Sequence, residues 1–155
     1  MKILALDTAT KTGWAWIDTE QREPISGVES FTKKRGDSNG MMFLRFNGWL
    51  DREWGNDSNK PYAVYYERAH HRGGAATEIA VGLSTRVQEW CYKHKVECCA
   101  VHTSKIKKYV TGKGNASKTE VMKWFADTYG REPVDDNEAD AMALLHYAMM
   151  DLGIT

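Results

Sequence analysis

MKILALDTATKTGWAWI, residues 1–17, decides how the rest of the chain is read. Ile3, Leu4, Ala5 and Leu6 make a short apolar run of the kind that forms a buried strand, and the run stops on an acid, Asp7. A small polar turn, Thr8 to Thr12, follows, with Gly13 supplying a backbone bend. Trp14 to Ile17 reads as a second strand, so the pair predicts a hairpin with Asp7 at its mouth. A carboxylate at the tip of a buried strand lies where α/β sheets place their ligands. Alone, Asp7 would only cap the turn; partners must come from elsewhere in the chain.

The 155 residues, 42% hydrophobic and 27% charged, suit a single globular domain over 1–155. Formal net charge is 0, so overall charge proposes no partner, and a nucleic-acid face has to come from local asymmetry. Six tryptophans and seven tyrosines are many for this length; the core is their first use and base stacking the second. Cys91, Cys98 and Cys99 have neither a disulfide framework nor zinc spacing and read as reduced thiols of a cytoplasmic protein. Asp7 interrupts the first apolar run too early for a signal peptide, and no stretch has the length of a membrane span.

A third strand is expected over Ile25–Thr32, followed by a basic-polar loop, Lys33–Gly40. Met42, Phe46, Trp49 and Leu50 fall at helical spacing within Met41–Trp54. After the break at 55–61, Ala63–Tyr66 is a fourth strand, and it too ends on an acid, Glu67. A loop, RAHHRGGAA, leads to an amphipathic helix over Thr77–Lys93, and Val96–Val101 is a fifth strand. His102–Ala116 is a basic loop or short helix. Ser117–Tyr129 opens with a Ser117/Glu120 capping box, and Asp136–Leu152 is the last helix. Three meandering strands followed by helical crossovers predict a five-stranded mixed sheet with strand 1 central and strand 4 parallel beside it. Asp7 and Glu67 then end neighbouring parallel strands.

The last helix begins DDNEADAMALL. Asp136 and Asp140, four apart, share a face, as do Asn137 and Asp140, three apart. Asp135 as N-cap, with Glu138 as its capping-box partner, explains much of this acidity. It does not explain Asp140, set among Ala139, Ala141 and Ala143 on a close-packed face that wants a cation or hydrogen-bond partner there. Two strand-end acids and one or two helix acids can hold Mg²⁺, with Mn²⁺ as substitute. A pair of such ions activates water and stabilises the leaving oxygen in phosphodiester cleavage.

ILALDTATKTGWA, VYYERAH and NEADAMALLHYA, with KIKKYVTGKGNASKTEV between the last two, resemble the RuvC family of Holliday-junction resolvases within the RNase H-like superfamily, over nearly the whole chain. The resemblance implies an RNase H-like α/β fold, with Asp7, Glu67 and Asp140 as metal ligands. It also implies Lys107 and Lys118 as basic residues near the scissile phosphate. The family's last helix commonly carries its other acid three residues before the final one, where this chain has Asn137. The fourth ligand therefore stays open between Asp136 and Asn137. The compact form and altered last-helix motif would suit a phage-encoded member.

Between Cys98 and Thr119 the chain carries Lys105, Lys107, Lys108, Lys113 and Lys118 and no acid, the footprint of phosphate contact. Lys118 follows the N-cap Ser117, where the helix dipole disfavours a cation, and a bound phosphate would resolve the conflict. His70, where the family often places an aromatic, is followed by His71 and Arg72; the three could stack on bases or meet phosphates. His146 lies nearly opposite Asp140 and reads as a core residue.

The expectation is a metal-dependent endonuclease, a homodimer acting on branched DNA by paired nicks. Its rivals are an RNase H-like nuclease for forks, flaps or RNA-containing duplexes, and a catalytically silent junction-binding module, which Asn137 would favour. An actin-like ATPase needs two lobes, and this chain is too short for both.

Overall fold

Side-chain parity along the first strand sets the architecture. In the computed structural model, which describes residues 1–21, 23–69 and 73–154, β1 (Lys2–Asp7) buries Ile3 and Ala5 on one face and Leu4 and Leu6 on the other. A strand buried on both sides belongs in the middle of a sheet. β2 (Lys11–Asp18) pairs antiparallel to β1, and β3 (Ile25–Ser30) antiparallel to β2. β4 (Ala63–Glu67) lies parallel to β1 on its other side, and β5 (Glu97–Val101) parallel to β4. The order β3-β2-β1-β4-β5 is the expected five-stranded mixed sheet with β1 central.

Helices α1 (Asn39–Trp54) and α2 (Ala75–His94) cover the face of Leu4, Leu6, Val64 and Tyr66. Helices α3 (Thr103–Thr111), α4 (Lys118–Tyr129) and α5 (Asp136–Asp151) cover the face of Ile3, Ala5, Ala15 and Tyr65. The segment left open between loop and helix at 102–116 thus holds a helix, α3, anchored by buried Ile106. Among the described residues no helix is long and apolar enough to cross a membrane.

One sequence expectation fails at the first turn. Gly13 is not a bend: β2 begins at Lys11, and Gly13 pairs with Asp7 inside the ladder. Its missing side chain serves α5 instead. A Cβ there would stand 1.9 Å from the Asn137 carbonyl oxygen, so the backbone of the first turn of α5 rests directly on β2. Ala15 continues the small surface of β2, and Ala139, Ala141 and Ala143 of α5 are fully buried in the same core. Sheet and helix approach closely because both present almost no side chain where they cross.

A second correction concerns the cap of α5. Asp135 is the N-cap, accepting a hydrogen bond from the Glu138 N–H at 3.0 Å. The Glu138 carboxylate does not return it. It turns inward, 1% exposed, and accepts from Arg131 Nη2 and Ser26 Oγ (both 2.7 Å) and from the Val134 N–H at 2.7 Å. The Arg131 ion pair, half exposed on the arginine side, joins α5 to the loop before it, and the Ser26 hydrogen bond ties α5 to β3. The Ser117/Glu120 capping box of α4 forms as expected.

Candidate metal centre and its basic rim

Odd-numbered residues of β1 face α5, and so do those of β4, where Tyr65 joins the same core as Ile3 and Ala5. Because Leu6 aligns with Tyr66, the next residues on both strands, Asp7 and Glu67, end the strands side by side. The turn after Asp7 is fixed by Thr12, whose hydroxyl donates to the Ala9 carbonyl at 2.7 Å, and by the Thr8–Ser84 hydroxyl pair at 3.1 Å. The Arg68 N–H bonds the Val101 carbonyl at 2.8 Å and holds the chain beyond Glu67. α5, seated on Gly13, brings Asp140 to the same place. Asp7, Glu67 and Asp140 each offer an oxygen within 4.8 Å of the others. A cleft of about 120 Å³ opens beside Asp7 and Glu67, lined also by Thr8, Arg68, Ala69 and Ala80.

Electrostatics mark this cluster as a point of crowded negative charge. Burial, then the charges of Glu67 and Asp140, push the Asp7 carboxyl well above the usual carboxylate range. Burial, then Glu67 and Asp136, push Asp140 up to about 7, although Lys107 and Lys118 pull the other way. Three carboxylates in a shared, part-buried space resist ionising together unless protons or a cation enter. Oxygen-only donors of this charge suit a hard divalent ion, so Asp7, Glu67 and Asp140 could hold one.

The remaining site residues fall around the cluster. Asp136 heads α5 with its Oδ2 3.2 Å from Lys118 Nζ, outside the three-acid group but near enough to raise both Asp7 and Asp140. The cation at the start of α4 thus meets a carboxylate, which answers the unfavourable helix dipole within the protein itself. The hydrogen bond and charge of Asp136 raise the Lys118 ammonium above its ordinary value. Lys107 lies on α3, close enough for its charge to act on Asp140. Lys105 and Lys108 are exposed on the same helix, and Lys113 pairs with Glu120 at 3.5 Å. His70, His71 and Arg72 lie outside the described residues. Arg68 was missed by sequence reasoning although it directly follows Glu67; it lines the acid cleft. His146 is a core residue as expected, bonded to the Tyr129 hydroxyl with its imidazole held below the usual value by burial.

A five-stranded sheet of this order, with acids ending its central parallel pair and a helix completing them, is the RNase H-like architecture. Within it, the chain is similar to the Thermus thermophilus RuvC structure, with a TM-score of 0.74 and 18% identity over 99% of this chain and 97% of that one. It is also similar to T. thermophilus RuvC in complex with a Holliday junction substrate, with a TM-score of 0.72 and 20% identity over 97% and 96%. The fold is therefore that of RuvC, as the sequence motifs implied. No protein-family model matches the sequence, and neither does any curated protein.

Proposed function

We propose that this chain is a metal-dependent endonuclease that resolves four-way DNA junctions, acting as a homodimer that nicks two strands in a pair. The observation that carries the reading is the meeting of Asp7, Glu67 and Asp140 within 4.8 Å at the ends of β1 and β4, on a fold shared with RuvC. Asp7, Glu67 and Asp140, joined by Asp136 from its place beside Lys118, would hold two Mg²⁺ ions, with Mn²⁺ as substitute. Such ions supply Lewis acidity for activating water and steadying the leaving 3′ oxygen.

The chain's own groups supply the rest. Lys107 and Lys118 flank the acids, bind the phosphate to be cut, and stabilise the negative charge that develops on it. Lys105, Lys108 and Lys113 hold neighbouring phosphates, a contribution that weakens with salt. Arg68 stands at the cleft mouth, placed to neutralise a phosphate oxygen next to Glu67. His70, His71 and Arg72 would stack on bases or meet phosphates of the junction. The two-fold character of a four-way junction calls for two such sites, hence a dimer.

The test is cleavage of an end-labelled four-way junction beside linear duplex and a fork, with Mg²⁺, with chelator, and with Asp7→Asn. Paired nicks confined to the junction, lost with chelator and in Asp7→Asn while junction binding persists, are the expected result. Cutting of forks alone would keep the site and change the substrate. Binding without cutting in Mg²⁺ or Mn²⁺ would make the protein a junction-binding module instead.

A further inference from the structure

Four of the six tryptophans gather on the sheet face opposite the acid cluster, and they do not simply fill a core. Trp14 and Trp16 project from β2, and Trp49 and Trp54 from the end of α1. Trp14 meets Trp54 at 5.9 Å and 62° between ring planes, and Trp54 meets Trp49 at 4.9 Å and 83°. The near-perpendicular rings form the corner of a cavity of about 260 Å³ that Ile25, Glu29, Glu53 and Asn59 complete. That is room for roughly eight waters at about 30 Å³ each, enough for a small ligand. Beside it, Gly27 lets the Trp14 indole lie close against β3, where a Cβ would come within 3.0 Å of the ring.

The charge of the lining is one-sided. Glu29 and Glu53 stand in the wall, and among the described residues no lysine, arginine or histidine does. Among the described residues neither acid forms an ion pair. Aromatic faces are negative at their centres, and several set at angles around one space attract an organic cation, the more so with carboxylates at the rim. A purely apolar ligand would leave both acids without a counter-charge.

We propose that this cavity binds an organic cation of the alkylammonium class, with the head among Trp14, Trp16 and Trp54 and its charge answered by Glu29 and Glu53. The site is separate from the acid cluster and does not depend on the nuclease reading.

The test titrates the whole protein with choline and, separately, with its uncharged carbon isostere 3,3-dimethyl-1-butanol, following tryptophan fluorescence and the indole N–H resonances. Choline is expected to bind saturably and about tenfold more tightly than the isostere. The Glu29→Gln/Glu53→Gln variant, altered only on the part-exposed wall, is expected to keep its thermal midpoint and lose about tenfold in choline affinity while its isostere affinity stays unchanged. Trp16→Phe should weaken both probes. A third arm with N-acetyl-lysine amide locates the source: tighter binding than choline assigns the cation to a partner's lysine, weaker binding to a free small molecule. Equal binding of choline and isostere, choline affinity indifferent to the glutamate pair, or no shift of the indole resonances would each overturn the proposal.

Discussion

Glu138 and Asp140 stand two residues apart on one helix, and their carboxylates live in opposite surroundings. Burial alone would push Glu138 up, but Arg131, the Val134 N–H and Ser26 outweigh it and hold the carboxyl below its ordinary value. Asp140 is also pushed up by burial, but its neighbours include Glu67 and Asp136, and the two lysines that oppose them do not prevail. One acid has every lone pair answered by the protein; the other is set among acids. The first is a structural pin and the second belongs to a cluster of like charge, and composition within the helix would never separate them.

The contrast can be broken most severely at Gly13, which seats the helix that carries both residues. Gly13→Ala places a methyl 1.9 Å from the Asn137 carbonyl, so the first turn of α5 must move away from β2. An active site misplaced by about 1 Å loses on the order of 100-fold in rate, and junction cleavage by this variant should fall by that factor. The Arg131–Glu138 pair should shift with it, which a lower melting midpoint would reveal.

Arg131→Ala tests the pin alone. It leaves the Glu138 carboxylate with only Ser26 and the Val134 N–H, and because Arg131 is 48% exposed and screened by solvent the loss should be on the order of 1 kcal/mol, which denaturant titration can measure. Cleavage per folded molecule should change little. Glu138 favours the fold above the ordinary carboxylate range and ceases to do so as pH falls through its lowered value, so the loss in Arg131→Ala should shrink in acid.

Asp140→Asn should act in the other direction and most gently. Asp140, pushed up to about 7, keeps a proton in the folded chain that the unfolded chain releases near pH 4, so the metal-free protein loses stability as pH rises between the two. Without that carboxyl the melting midpoint at pH 7.5 should rise on the order of 3 °C, and its fall with pH should flatten. Mg²⁺ should raise the midpoint of the unaltered chain at pH 7.5 and leave Asp140→Asn unmoved; equal stabilisation of both would remove Asp140 from the ligand set.

Much of this was legible from local pattern. Apolar runs that stop on Asp7 and Glu67 announce strand ends, and the crossover between them places those ends together. Ser117 and Glu120 spell a cap three residues apart. What stayed hidden depends on partners remote in the chain. Glu138 reads as half of a local capping box because Ser26, its hydrogen-bond donor across the fold, carries no mark of that role. Gly13 reads as a bend because the reason for its missing side chain is a carbonyl in another element. The tryptophans read as core because nothing in their spacing shows that Glu29 and Glu53 face the same cavity.

Gly13 and Asp140 also set a schedule. β1 and β4 and their acids precede α5 in the chain, and the third carboxylate arrives only with that helix. A nascent chain still lacking α5 therefore carries two acids and a bare small-residue track, with no three-acid cluster to gather ions. The three-acid cluster is complete only once α5 docks.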